Sequence, residues 1–187
     1  MTRTFASLLA ALTLLAVAGQ AQAQDSRDIM GGPNFFFRGS SPIQRTTVYF
    51  DSRYAPGTII VNTAERRLYL VLRNGQALRY GIGVGRDGFR WGGVHRISAK
   101  REWPGWTPPS QMRARRPDLP RHMAGGIDNP LGARAIYLGS TLYRIHGSNE
   151  PETICQAVSS GCFRMTNEDV TDLYNRVSVG TTVVVKN

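Results

Sequence analysis

Downstream of residue 57 the chain is cut into short apolar and alternating runs by turn residues, a texture that a β-sheet uses and a helical domain does not. TIIVN (58–62), RLYLVL (67–72) and ALRYGIGVG (77–85) read as strands. The dipeptide Asn74-Gly75 between the second and third predicts a tight hairpin, so the domain opens as an antiparallel meander. VHRISA (94–99), ARAIYL (133–138) and TLYRIH (141–146) continue the pattern, with Gly139 and Ser140 turning the last two into another hairpin. One helix is expected. Thr166 followed three residues later by Asp169 is a capping box, and Val170, Leu173, Tyr174 and Val177 recur at helical spacing. TTVVVK (181–186) then reads as a last strand, giving a mostly β domain with a single helix near its end.

The 187 residues suit one domain, since 41% hydrophobic and 19% charged residues is an ordinary globular balance. The beginning of the chain does not belong to that domain. Arg3 is followed by the apolar run FASLLAALTLLAVA and then by Ala21-Gln22-Ala23, the small-x-small pattern of a secretory cleavage site. Residues 1–23 are therefore expected to be a signal peptide, with the mature chain starting at Gln24 in the periplasm. The apolar run is shorter than the roughly 18 residues needed to cross a bilayer, so no membrane span is expected after cleavage. The formal charge of +10 suits an acidic polymer, and nearly all of the positive charge is Arg, whose planar fork matches carboxylates and phosphates. Charge alone does not choose the partner. Export and the lack of any nucleic-acid motif argue against nucleic acid.

Residues 24–56 are rich in Gly, Ser, Pro and Arg and carry an isolated cluster at Phe35, Phe36 and Phe37; they are expected to form a flexible lead-in to a domain at 57–187. Between Lys100 and Pro130 the chain carries six prolines with Trp103, Trp106 and Met112 and no sustained periodicity. A long irregular segment of this kind suits a binding loop, with Trp106 as a candidate substrate contact, and equally a loop pinned on the core by its tryptophans.

The chemistry concentrates at His146, which ends a predicted strand in YRIHG, and at Cys162 in SSGCFRM just before the capped helix. A cysteine attacks as its thiolate, and with an ordinary pKa of about 8.5 it needs a neighbouring base to take its proton. His146 is the candidate base. Gly161 permits the sharp backbone that aims N–H groups at an oxyanion, and Arg164 sets a permanent cation two residues beyond the cysteine. The competing reading is structural. Cys155 and Cys162 are the only cysteines, and two cysteines in an oxidising compartment pair by default, which would mask the nucleophile. His95 reads as structural and His122 as a residue of the Pro-rich segment; three scattered histidines do not make a metal site, and no cofactor is expected.

YRIHGSNEP, SSGCFRM and NEDVTDLYNRVSVGTTVVV, with GVHRISAKREWP and NPLGARAIYL upstream, resemble the YkuD-type L,D-transpeptidase catalytic domain over about residues 57–186. The resemblance implies a β-sandwich-like fold with one helix following the cysteine motif. It implies an enzyme that attacks peptidoglycan stem peptides between the third residue, typically diaminopimelate, and a terminal D-alanine. Cys162 would form a thioester, and an amine of another stem or of a wall-anchored lipoprotein would accept the acyl group. By the same resemblance His146 is the catalytic histidine, the carbonyl of Gly147 orients its ring, and Ser160, Gly161 and Cys162 supply the oxyanion site. Arg164 organises the site or meets a substrate carboxylate. Where the family often reads Ser-His-Gly-Cys, Ser160 stands here in place of the histidine, and Cys155 falls where no cysteine is expected. Rival functions are a carboxypeptidase or lipoprotein-releasing amidase with water as acceptor, and a wall-binding module closed by a disulfide.

Overall fold

The structure, a computed structural model, describes residues 41–51 and 53–187; the expected signal peptide and the Phe35–Phe37 cluster lie outside the described residues. Among the described residues eleven strands and two α-helices follow in chain order: β1 (Thr46–Tyr49), β2 (Ile59–Asn62), β3 (Arg67–Val71), β4 (Gln76–Gly81), β5 (Val84–Gly85), β6 (Gly93–Glu102), α1 (Ser110–Arg115), β7 (Arg134–Leu138), β8 (Arg144–His146), β9 (Ala157–Ser159), β10 (Phe163–Arg164), α2 (Asn167–Arg176) and β11 (Thr182–Lys186). Nine strands form one sheet in the order β1-β4-β3-β2-β11-β6-β7-β8-β10, and β5 pairs with β9 apart from it.

Alternation explains the layering. Ile59 and Val61 of β2, Leu68 and Leu70 of β3 and Val183 and Val185 of β11 point to one face and are buried there. Ile60, Val71 and Val184 point to the other, where Phe50, Tyr54 and Tyr69 cover them. The long strand β6 joins the two halves of the sheet. Its first half pairs with β11 and its second with β7, and the register shifts between Ile97 and Ala99. A bulge bends a strand at such a point, so β7, β8 and β10 can turn to enclose the core. Ile136, Leu138, Ile145, Phe163 and Met165 join the inward residues of the first half, together with Val170 and Leu173 of α2.

The mostly β expectation holds, and the departures from it have local causes. Residues 46–49 were expected in a flexible lead-in, yet they pair antiparallel with β4, and Phe50 stacks on Tyr69 with ring centroids 4.6 Å apart. The run 77–85 divides at Ile82 and Gly83. There the chain leaves β3 and exchanges hydrogen bonds with Arg164, Gly83 N to Arg164 O and Arg164 N to Gly83 O, both 2.9 Å. Strand β8 starts at Arg144 and not at Thr141, because the Thr141 hydroxyl donates to Leu138 O at 2.6 Å and holds a turn. The Pro-rich segment contains α1, which buries none of its residues. At Asn74 and Gly75 both φ angles are positive, 60° and 66°, as a tight hairpin requires.

The start of α2 is tied to the segment ahead of the domain. Thr166 Oγ1 accepts from Asp169 N at 3.2 Å, and Arg45 Nη1 lies 3.1 Å from Asp169 Oδ1, whose side chain is only 5% exposed. Burial raises the Asp169 carboxyl above its ordinary range and Arg45 opposes that rise. Removing the guanidinium strands a desolvated carboxylate. Arg45→Ala is therefore expected to lower stability at neutral pH by about 1–3 kcal/mol. The deficit should shrink in acid as Asp169 protonates, which urea unfolding at two pH values will read.

Candidate active site

The site is built where β8 and β10 run parallel. Phe163 is registered with Ile145 and Arg164 with His146. Ile145 and Phe163 are both buried in the core, so alternation sends their neighbours Arg144, His146, Cys162 and Arg164 to the opposite face. Cys162 and His146 are thus diagonal neighbours on one face of a strand pair, a spacing across which side chains reach each other.

His146 is buried, and its Nδ1 lies 2.6 Å from Gly147 O. A carbonyl only accepts, so Nδ1 carries the proton and Nε2 is left as the acceptor. Gly147 is itself fixed. Its N–H donates to Arg134 O at 3.0 Å, and a side chain at either Gly147 or Gly132 would collide with Asn167 Oδ1, which accepts from Ala133 N at 2.8 Å. Burial pushes the imidazole pKa down to about 3, helped by Arg164 and Arg144 and opposed by the Gly147 bond. At neutral pH the ring is a neutral base.

Cys162 is half-buried in the loop between β9 and β10. Ser159 staples that loop from inside, accepting from Gly161 N at 3.1 Å and donating to Cys162 O at 2.6 Å. From outside, Trp91 Nε1 donates to Gly161 O at 2.6 Å while the Trp91 ring stacks on Tyr143, centroids 4.3 Å apart at 8°. Gly161 has φ +108°, and a side chain there would strike the Tyr143 ring. Only glycine fits. Burial raises the thiol pKa, and Arg144 and Arg164 work against that rise.

The remaining candidates are placed as follows. The Gly161 N–H is committed to Ser159, so it is not the donor expected for an oxyanion in this conformation; Gly161 shapes the loop instead. Ser160 is half-buried in the same loop. Arg164 Nη1 donates to Glu150 Oε2 at 2.9 Å and to Thr153 Oγ1 at 3.3 Å, which ties β10 to the turn before it and fits an organising role. Trp106 pairs through its backbone with Met123, and among the described residues no hydrogen bond or ring contact joins it to Cys162 or His146. His95 packs edge-on against Trp91 at 5.0 Å, and His122 Nδ1 lies 3.1 Å from Thr107 Oγ1. Both cysteines are free. Cys155, at φ +66°, lies against Gly81 with its sulfur 3.6 Å from Arg67 Nη1, whereas the Cys162 sulfur lies 4.0 Å from Leu142 O. Sequence reasoning missed Trp91, Tyr143, Ser159 and Asn167. The one signal for the first was an aromatic residue set in a glycine-flanked turn, FRWGG.

The model of the YkuD L,D-transpeptidase catalytic domain matches residues 56–185. The chain belongs to the YkuD family. Among YkuD relatives, the probable L,D-transpeptidase ErfK/SrfK of Escherichia coli is 39% identical over 136 residues, 68% of this chain and 43% of that protein. The chain thus spans less than half the length of that relative. A Brucella melitensis crystal structure described as a probable carnitine operon oxidoreductase is 47% identical, covering 79% of this chain and 96% of that one, with a TM-score of 0.54. L,D-transpeptidase 3 of Mycobacterium tuberculosis, solved with a faropenem-derived adduct, shares the fold at a TM-score of 0.51 and 16% identity, covering 70% of this chain and 60% of that one. The YkuD match begins at residue 56, so Arg45 and β1 lie ahead of the family domain.

Proposed function

We propose that the domain is the catalytic part of an exported L,D-transpeptidase that acts on peptidoglycan stem peptides in the periplasm, with residues 1–23 as its cleaved signal. The supporting observation is the pairing of β8 with β10, which sets Cys162 and a tautomer-locked His146 on one face. Cys162 Sγ attacks the carbonyl carbon of the third stem residue as its proton passes to His146 Nε2. The oxyanion that forms is met by the backbone N–H groups of Ser160 and Cys162, the donors the loop offers once that of Gly161 is engaged. Collapse breaks the amide bond, and the D-alanine amine leaves with the proton returned by the imidazolium. The thioester is then attacked by an acceptor amine, which gives its proton to His146, and the thiolate departs and is reprotonated. An amine of a second stem or of a wall-anchored lipoprotein is the acceptor; water in its place makes the enzyme a carboxypeptidase or an amidase.

The test is intact-mass spectrometry of the reduced protein mixed with a tetrapeptide-bearing muropeptide. An adduct of the stem less D-alanine is the expected result. Faropenem is a second probe of the same thiol. No adduct from the muropeptide, with the thiol intact and reactive toward faropenem, overturns the substrate assignment.

A further inference from the structure

Once the Cys162 proton has passed to His146, the negative charge on the sulfur needs a partner. Burial works against that charge, so a cation at the sulfur decides how readily the thiolate forms. Stepping the β8–β10 register back by one residue sets Cys162 opposite Arg144. From that position the backbone N–H and the guanidinium of Arg144 both act to hold the Cys162 thiol pKa down against burial. The guanidinium is held over the Tyr137 ring, 5.1 Å from the centroid, and its Nε is buried with no hydrogen-bond partner. Among the described residues Arg144 has no carboxylate partner, whereas Arg164, the other cation on this face, is taken by Glu150 and Thr153. The charged and titratable groups that the strand register sets on this face are Arg144 and His146 from β8 and Arg164 from β10, and Leu142 O lies 4.0 Å from the sulfur.

We propose that Arg144 is a further catalytic residue, whose guanidinium and backbone N–H together hold the Cys162 sulfur as the thiolate while its proton passes to His146. The proposal rests on Cys162 being the nucleophile and deepens that reading. Arginine suits the task because it stays charged and its planar group is fixed on Tyr137, so little order is lost when the thiolate forms. The same cation is released to the leaving thiolate each time the thioester breaks, so both halves of the reaction use it.

The experiment measures the rate of Cys162 alkylation by iodoacetamide against pH, in a Cys155→Ser background so that one thiol reports, for the parent and for Arg144→Gln, Arg144→Met and Arg144→Lys. Circular dichroism shows which variants are folded. Losing the cation is expected to slow alkylation at neutral pH by about tenfold and to move the profile to higher pH. Arg144→Lys, which keeps the charge without the planar fork, should fall between. A folded Gln or Met variant whose profile matches that of the parent overturns the proposal. Alkylation needs no peptidoglycan, so the two readings fail separately. A shifted profile without an acyl-enzyme from the muropeptide keeps Arg144 and removes the substrate; an acyl-enzyme with an unshifted profile does the reverse.

Discussion

Cys162→Ala is expected to abolish D-alanine release and the covalent adduct, a fall of about 10⁴-fold or more, while the protein stays folded. The size follows from chemistry, because every step of the proposed cycle makes or breaks a bond to that sulfur. The folded state should hardly notice. Cys162 is half-buried, and the hydrogen bonds that shape its loop run through its carbonyl and through Ser159, Gly161 and Trp91, none of which the substitution touches. D-alanine release measured beside a thermal melt will check both halves. Undiminished release by the folded variant would place the reaction on some other group.

The second large effect concerns His146. Asparagine places an amide N–H near the position of Nδ1, so His146→Asn can keep the bond to Gly147 O while deleting the base. Acylation should fall by about 10²–10⁴-fold. The same substitution should change how stability depends on pH. The imidazole has a pKa of about 3 in the fold, against an ordinary value near 6.5 in the unfolded chain. Between those values the unfolded state binds the extra proton, so stability is complete above about 6.5 and is lost as pH falls toward 3. Burial of this one ring makes the loss of the order of a few kcal/mol. Urea midpoints across that range should therefore slope less steeply in His146→Asn than in the parent. Equal slopes would mean that some other buried group sets the acid limit.

The fold was legible where a residue's fate depends on its near neighbours in sequence. Alternation marked β2, β3, β6, β7 and β11, and the Thr166–Asp169 spacing marked α2, whose cap bond is present. Short strands escaped for the converse reason. β9 and β10 are three and two residues long, and each exists because a distant segment comes alongside it, Val84 and Gly85 for β9 and β8 for β10. β1 escaped because its residues are mostly exposed and carry no alternating pattern. At the site, His146 and Cys162 stood out by residue type together with the motifs around them, YRIHG and SSGCFRM. What surrounds them was not readable. Ser159 looks like any serine until its hydroxyl is seen between Gly161 N and Cys162 O, and Arg144 carries no meaning until β10 is laid beside β8.

The placement of β11 also fixes when the domain can come into being. This last strand lies in the middle of the sheet, parallel to β2 on one side and antiparallel to β6 on the other. Until it arrives, the meander β2–β4 and the bent half that holds His146 and Cys162 have no strand joining them within the nine-stranded sheet, and Ile59, Val61, Leu68 and Ile97 lack the Val183 and Val185 side that completes their burial. A chain fed through a pore from its beginning would have to wait for its final strand before it could close. Such late, long-range closure makes folding slow and leaves the apolar meander exposed meanwhile, so the face that carries His146 and Cys162 forms all at once and not piece by piece along the chain.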